Sequence, residues 1–366
     1  MTAVVRMELG ARGYDIVVGA GLLAEAGKRL GAVLRRPQVV VVSDANVAPL
    51  YLPALKASLA VEGIAAEAVT VPAGEATKSF AQLERLAEDI LERGIERSTA
   101  LVALGGGVVG DLAGFAAAIL LRGVDCIQVP TTLLAQVDSA IGGKTGINTG
   151  HGKNLVGSFH QPRLVLADMD TLDTLSRRQL LAGYAEVVKY GLIADAKFFA
   201  WLEAHGPSLI DGDRAARTHA VARCCRAKAD IVADDEHEAG RRALLNLGHT
   251  FAHALEAETG YSEALLHGEA VAVGLCLAFD LSQRLGLCPA EDAARVRTHL
   301  DRVGLPTRPP PIDGHDWQRE RLLERITRDK KVQDGRPTFV LARGIGRAFL
   351  TQDAPPEAIE ALLAAA

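Results

Sequence analysis

A chain of 366 residues that is 49% hydrophobic carries enough apolar side chain for more than one core, so two domains are expected. Its 40 basic and 45 acidic residues leave a net charge of -5, which argues against nucleic acid as a partner and against a charged, disordered tail. The N-terminus lacks a basic stretch followed by a long apolar run, and the apolar run 115–121 stops at Arg122, so neither a signal peptide nor a membrane span is expected.

The five cysteines (Cys126, Cys224, Cys225, Cys276, Cys288) are odd in number and form no CxxC pair, which argues against a disulfide framework. A soluble cytoplasmic protein is the simplest reading.

In chain order, "AVVRMEL" and "YDIVVG" read as an antiparallel strand pair. Short β-branched runs follow at 38–44, 66–72, 99–107 and 126–130, separated by helical stretches such as 79–94. That alternation predicts a parallel sheet covered by helices. After 163–176 the pattern changes. Ser176 is placed to cap a helix, and helical periodicity fills 176–193, 214–232, 247–259 and 267–285. A strand signal returns only at 337–342, after a Pro-rich loop at 305–314. The expected organisation is an α/β, Rossmann-like N-terminal domain over 1–172 and a mainly α-helical domain over 173–366.

Three constellations carry chemistry. The run "TALVALGGGVVGDLAGF" reads strand, glycine turn, helix, and Gly105, Gly107 and Gly110 fit GxGxxG. Such a turn lets backbone approach a pyrophosphate that faces a helix N-terminus. Asp44, at the end of an earlier strand, is a candidate for the ribose acid. The bland alternative is a tight, closely packed turn with no ligand. Next, Thr131, Thr132, Asp138, Gly142, Gly143 and Lys144, followed by Lys153 and Asn154, put lysines into adjacent glycine-rich loops that suit an anion.

Finally, "LLNLGHTFAHALE" spaces His249 and His253 one helical turn apart. A zinc protease would need Glu directly after the first His, where Thr250 stands. Two His and one Glu make a catalytic zinc set with an open position. His267 and Glu186 are candidates to complete it, but spacing alone does not choose Glu186 over Glu256 or Glu269. Glu186 and Lys189 share one helical face.

The motifs "GGGVVGDLAGFAAA", "VPTTLLAQVDSAIGGKTGIN", "GKNLVGSFHQP", "AEVVKYG", "LLNLGHTFAHALE", "HGEAVAVG" and "RDKKV", in this order over about 73–332, resemble the 3-dehydroquinate synthase family. The resemblance implies an NAD-binding α/β domain, a helical domain, an active site in the cleft between them, one divalent metal (commonly zinc, with cobalt as the alternative) and a homodimer. It assigns the metal to Glu186, His249 and His267. It assigns NAD to Asp44, Glu75, Lys78, the turn Gly107, Val108, Val109, Gly110 and Asp111, then Thr131, Thr132, Lys153, and the stretch Thr171, Leu172, Asp173 and Thr174. Substrate contacts fall on Asp138, Lys144, Asn154, Lys189, Lys228, Arg242, Asn246, His253 and Lys330 or Lys331. Arg122 would reach the second subunit's site. Proton transfer falls on His253 and Glu238, with Lys144 and Asp138 beside them. Ala140 and Ala252 depart from the family pattern, where Ser and Gly are common; both are small.

The implied reaction takes 3-deoxy-D-arabino-heptulosonate 7-phosphate to 3-dehydroquinate and phosphate in the shikimate route. It runs through transient oxidation at C5, β-elimination of phosphate, re-reduction and aldol closure. Lys144, Asn154, His253 and Lys330 or Lys331 would suit the phosphate, while Lys228 and Arg242 would suit the carboxylate. Asn246 and Arg242 are expected one and two turns back from His249 along one helix approach. The rivals are a sugar phosphate cyclase whose substrate lacks the carboxylate and a metal-dependent alcohol dehydrogenase.

Overall fold

A computed structural model describes residues 2–327, 332–333 and 336–365. The chain begins with β1 (Ala3–Met7) and β2 (Tyr14–Gly19), the expected antiparallel pair. Then α1 (Ala26–Gly31), β3 (Gln38–Asp44), α2 (Ala48–Val61), β4 (Ala65–Val71), α3 (Phe80–Leu91), β5 (Ala100–Gly105), α4 (Gly107–Ile119) and β6 (Asp125–Pro130) alternate. A hairpin of β7 (Lys144–Thr149) and β8 (Gly152–Phe159) precedes β9 (Leu164–Asp168). The helices α5 (Arg177–Ala194), α6 (Ala196–Ile210), α7 (Arg214–Asp234), α8 (His249–Glu258), α9 (His267–Arg284), α10 (Ala290–Val303) and α11 (Arg319–Thr327) follow. Short pairs β10 (Val332–Gln333) with β11 (Arg336–Pro337) and β12 (Phe339–Ala342) with β13 (Ala348–Thr351) lead to α12 (Pro356–Ala365).

Two compact units form. The first is Met1–Leu175 with Arg214–His237; the second is Ser176–Asp213 with Glu238–Ala366. The boundary after Leu175 falls beside the expected one. Helix α7, which the sequence reading put in the helical domain, packs with the first unit instead. Amphipathic periodicity shows that a helix has a buried face, not which core receives it. Here Cys225 Sγ donates to Gln136 O (3.4 Å), Lys228 Nζ donates to Asp138 O (2.6 Å) and Arg12 holds Glu236 through two bonds of 2.5 and 2.6 Å.

In the first unit the sheet order is β1-β2-β9-β6-β5-β3-β4, and every pairing except β1 with β2 is parallel. One core packs α3 and α4 on one face, through Leu83, Leu86, Leu112 and Ala116 against Val40, Val42 and Leu101. The other packs α1 and α2 on the opposite face, through Leu30, Leu55 and Leu59 against Val39, Val41 and Val102. Neighbouring residues of β3 serve opposite cores, as strand alternation requires. From β3 the chain steps outward to β4, then returns across β3 to β5 and on to β6. The direction of winding therefore reverses between β3 and β5, the place where open α/β sheets bind ligands at the carboxyl ends of their strands.

The second unit is helical, as expected, apart from short strand pairs. Ser176 caps α5 by accepting from Gln179 N (3.2 Å), and Asp195 starts α6 by accepting from Phe198 N (3.0 Å). Helix α5 is buried from Leu180 to Ile193, a core helix with no solvent stripe. The five cysteines are buried thiols. Among the described residues no helix is long and apolar enough to cross a membrane.

Candidate active site

In the first unit the residues assigned to a dinucleotide gather along one edge of the sheet. Asp44 ends β3, Glu75 and Lys78 follow β4, Gly107–Asp111 follow β5, Thr131 and Thr132 follow β6, and Thr171–Thr174 follow β9. All five groups thus lie beyond the carboxyl ends of parallel strands. The glycines of this edge have ordinary φ at 105, 107 and 110; they are needed for space. A Cβ on Gly107 would stand 3.0 Å from Ser139 Oγ, and one on Gly110 2.8 Å from Gln128 Oε1. Helix α4 opens behind Gly106 with no side-chain cap, so its first amides remain available to an anion.

Asp44 turns one carboxylate oxygen back on the chain, accepting from Asn46 N (2.8 Å) and Val47 N (3.0 Å). Thr131 Oγ1 is buried without a hydrogen-bond partner, as a hydroxyl awaiting a ligand would be. The Thr171–Thr174 turn is held by the Tyr51 hydroxyl of α2, which donates to Thr171 O (3.1 Å), and by Arg217, whose guanidinium meets Asp173 at 2.5 Å.

Lys78 lies at the centre of a polar network. Its Nζ is 2.6 Å from Asp111 and 3.8 Å from Glu75, and it donates to Asn154. Burial opposes the charge on Lys78, but Asp111 and Glu75 outweigh it and raise its pKa. Asn148 links the network to the hairpin, donating to Glu75 (2.8 Å) and accepting from Asn154 N (3.0 Å). Asn154, assigned to substrate, therefore stands with the dinucleotide group.

Of the stretches expected to cradle an anion, 129–148 and 152–162, the end of the first and most of the second form the β7–β8 hairpin. Two of its glycines have a structural cause: a Cβ on Gly157 would meet Thr145 O at 1.9 Å, and one on Gly146 would meet Val156 O at 2.7 Å. Lys144 is exposed at the start of β7, and Lys153 is half-buried in β8. Asp138 is gripped by buried Lys228 of α7, through its carbonyl and its carboxylate. Arg122 is exposed, with φ +67°, in a turn that also holds Leu121 at positive φ.

In the second unit three helices deliver three ligand atoms to one place. Glu186 of α5, His249 at the start of α8 and His267 at the start of α9 have candidate atoms within 4.8 Å of one another. Close backbone packing fixes this. A Cβ on Gly268 would stand 1.9 Å from Ala182 O of α5, and one on Gly274 2.1 Å from Gly248 O. Glycine at 268 and 274 lets α9 lie against α5 and against the chain entering α8, which brings His267 up to Glu186 and His249.

The donor set fits a divalent metal. Both Glu186 oxygens are buried and neither makes a hydrogen bond of normal geometry. They lie instead at ion-pair distance from three nitrogens: Lys189 Nζ (2.6 Å), His249 Nε2 (3.4 Å) and His267 Nε2 (3.3 Å). His249 Nδ1 faces Leu247 O at 3.2 Å. A carbonyl only accepts, so Nδ1 carries the proton and Nε2 keeps its lone pair for an ion. His267 Nδ1 faces Glu256 Oε2 at 2.9 Å, so Nδ1 carries a proton and Nε2 is the atom that would meet an ion in place of its own proton.

Burial opposes charge on Glu186, yet Lys189 and His249 hold its pKa well below the usual carboxylate range. Burial and then Lys189 push His249 down, toward the neutral form a metal needs. For His267, burial is outweighed by Glu256 and Glu186, which raise it to about 10. The pocket thus concentrates negative charge that a cation would balance.

Packing distinguishes the three glutamates that spacing left open. Glu269 is spent on a bidentate bridge to Arg178 (2.6 and 2.7 Å) and on capping Leu266 N (2.8 Å). Glu256 stands behind His267. Glu186 alone faces both imidazoles.

His253 lies beside the triad, its ring centre 5.5 Å from that of His249 and 6.4 Å from that of His267. Arg242 is buried and Asn246 donates to Glu238 Oε1 (2.8 Å). The expectation that these two continue one helix with His249 is not met. They occupy a separate 3-10 segment, Arg241–Asn246, and Gly248 at φ +80° breaks the chain before α8. Lys330 and Lys331 lie outside the described residues. The residue that sequence reasoning left without a role is Glu256, which it named only beside Glu186 and Glu269 as a glutamate that spacing does not choose between. Its signal was its position seven residues after His249, which puts His249, His253 and Glu256 on one helical stripe.

Comparison with known proteins bears on the family and the fold. The family described as 3-dehydroquinate synthase N-terminal matches residues 68–182, and 3-dehydroquinate synthase C-terminal matches 183–332. A 3-dehydroquinate synthase of Rhodospirillum rubrum is 64% identical over 366 residues, covering 100% of this chain and 95% of that one. Among solved structures, 2-epi-5-epi-valiolone synthase from Streptomyces hygroscopicus with NAD+ and Zn2+ bound is 31% identical, covers 96% of both chains and has a TM-score of 0.87. A 2-deoxy-scyllo-inosose synthase complexed with carbaglucose-6-phosphate, NAD+ and Co2+ is 26% identical, covers 99% of both and also has a TM-score of 0.87. On the strength of that full-length identity and those matches, this chain belongs to the 3-dehydroquinate synthase family.

Proposed function

We propose that this chain is a carbon–oxygen lyase that converts 3-deoxy-D-arabino-heptulosonate 7-phosphate to 3-dehydroquinate and phosphate, using NAD and one divalent metal ion, zinc or cobalt. The observation that carries this reading is the 64% identity along the entire chain to a 3-dehydroquinate synthase. Glu186, His249 and His267 would hold the metal, which when bound acidifies a substrate hydroxyl while NAD accepts and later returns one hydride.

The chain's own groups would do the rest. The dinucleotide would be bound by Asp44, Glu75, Lys78, Gly107–Asp111, Thr131, Thr132, Lys153 and Thr171–Thr174. Lys78, buried and held cationic by Asp111 and Glu75, offers a fixed positive charge to that group. Arg242 is the residue assigned to the substrate carboxylate, for which a planar guanidinium is suited by its paired donors. Lys144, Asn154, Lys189, Lys228, Asn246 and one of Lys330 and Lys331 would supply the remaining contacts. His253, next to the triad and outside it, would carry a proton at a ring nitrogen, with Glu238, Asp138 and Lys144 in supporting proton-transfer roles. Arg242 also separates this reading from that of a cyclase whose substrate has no carboxylate.

We also propose a homodimer to which Arg122 contributes, and a cytoplasmic location. Sedimentation equilibrium of the parent tests the dimer; a monomer at micromolar concentration refutes it.

The test of the activity is direct. Purified protein with NAD+, zinc and the heptulosonate phosphate should release phosphate and form dehydroquinate without accumulating NADH. Chelation should abolish turnover and added zinc restore it. Steady growth of NADH would identify a dehydrogenase instead, and no turnover with metal and NAD+ present would refute the assignment.

A further inference from the structure

We infer that Glu256 is a positioning residue for the metal: its buried carboxylate holds the His267 ring by Nδ1, turns Nε2 toward Glu186 and so sets how tightly the ion is bound. This rests on the reading of Glu186, His249 and His267 as ligands. The geometry is specific. Glu256 Oε2 is 2.9 Å from His267 Nδ1, while His267 Nε2 is 3.3 Å from Glu186 Oε1. One imidazole thus bridges two carboxylates, one on the side of the ion and one behind it.

Glu256 is 1% exposed and is placed by the end of its own helix. Tyr261 N donates to Glu256 O (2.8 Å) and Gly260 N to Ala257 O (3.3 Å), with Gly260 at φ +63°. This is a Schellman termination, the 6→1 and 5→2 pair that a left-handed glycine permits. Thr259 Oγ1 adds a bond to the same carbonyl (3.0 Å). The backbone of Glu256 is therefore locked, and its side chain is delivered to His267 across the gap between α8 and α9.

The two histidine ligands are consequently unequal. His249 rests its Nδ1 on a neutral backbone carbonyl at 3.2 Å, whereas His267 rests on a carboxylate at 2.9 Å. An imidazole backed by a carboxylate is the stronger electron donor to a metal. Charge acts in the same direction. Glu256 puts a carboxylate directly behind His267, so neutralising it removes attraction for a dication.

The test compares zinc affinity, by chelator competition, in the parent, Glu256→Gln and Glu256→Ala. Glutamine keeps an acceptor of similar size and removes the charge; alanine removes both. We expect zinc Kd to rise about tenfold in Glu256→Gln and about a hundredfold in Glu256→Ala, the range for loss of a group behind a ligand. Values within about twofold of the parent in both variants would overturn the inference.

A second measurement needs no variant. Nitrogen-15 NMR of the zinc-loaded parent should show His267 protonated at Nδ1 and metal-shifted at Nε2; the reverse would overturn it. Failure of the underlying reading looks different. A parent that binds no stoichiometric zinc, or a His267→Ala variant that binds it as the parent does, refutes the ligand set itself and this inference with it.

Discussion

Both units use glycine to bring parts of the chain close, yet against different neighbours. At the edge of the first unit's sheet, a Cβ on Gly107 or Gly110 would meet the tip of a side chain, Ser139 Oγ at 3.0 Å or Gln128 Oε1 at 2.8 Å. Around the second unit's triad, a Cβ on Gly268 or Gly274 would meet backbone oxygen, at 1.9 Å from Ala182 O or 2.1 Å from Gly248 O. A side-chain tip can rotate away; a helix backbone moves only with its helix. The candidate dinucleotide edge is thus tolerant in packing and specified by short local motifs. The triad is rigid and specified by contacts between segments far apart in sequence.

That contrast orders the effects of substitution. The largest should come from the rigid site. Glu186→Gln keeps the volume but leaves Lys189, itself 1% exposed, without its carboxylate. Breaking a buried pair in this way costs about 3–5 kcal/mol. Zinc content should collapse, and with it turnover, by at least about a thousandfold if the metal supplies several kcal/mol. Atomic absorption and phosphate release check both; retained zinc would show that Glu186 is not a ligand. Next is Gly268→Ala, which forces α9 away from α5. A cost of about 3 kcal/mol or more is expected, with zinc affinity falling alongside stability. Denaturant melts of apo protein and chelator titration measure the two. If stability falls and zinc affinity does not, the glycine serves packing alone.

The same contrast explains what was legible before any coordinates. The first unit's alternation of strand and helix is written in local runs, so β3 to β6 fall within a residue or two of the expected spans. Its glycine turn and Asp44 follow strand ends and could be read off with them, while the other dinucleotide candidates came from the family resemblance. In the second unit α5, α8 and α9 were also legible, from Ser176 and the apolar periodicity, whereas α6, α10, α11 and α12 were not singled out. What could not be read was which core α7 joins, because one buried face fits either. Nor could spacing choose among Glu186, Glu256 and Glu269: each lies near a histidine, and only the approach of α5, α8 and α9 separates the candidate ligand from the carboxylate behind His267 and from the cap. The break at Gly248 was hidden because helical spacing continues across it.

A smaller effect should appear as pH dependence in the second unit. His299 of α10 accepts or donates to the Tyr184 hydroxyl at 3.0 Å, and α6 passes so close that a Cβ on Gly206 would meet that oxygen at 2.1 Å. Burial pushes His299 down from 6.5 to about 4. Its folded pKa lies below its unfolded one, so the unfolded chain binds more protons between these values. Stability from this group is full above about pH 6.5 and is lost as pH falls toward 4, by up to about 3 kcal/mol. Comparing denaturant midpoints of the parent and His299→Gln across pH 4–7 isolates it, since other groups cancel in the difference. A constant difference across that range would mean His299 titrates normally.

The smallest effect is expected where the tolerant edge meets its own motif. Gly110→Ala places a methyl against Gln128 Oε1, and Gln128 Nε2 also donates to Gly110 O at 3.1 Å. Turning Gln128 aside costs about 1 kcal/mol, one ordinary hydrogen bond. Alanine in place of glycine inside α4 returns about as much through helix propensity. Net stability should therefore change by less than about 1 kcal/mol, and NAD+ affinity by less than about threefold, since Gly110 lies a turn inside the helix. Gly107→Ala stands at the first turn, where an anion would approach, and should weaken NAD+ more than Gly110→Ala while leaving stability similar. Isothermal titration with NAD+ on both variants measures this. If the two weaken binding equally, the glycines act through packing of α4, and the difference drawn between the two units narrows to one of degree.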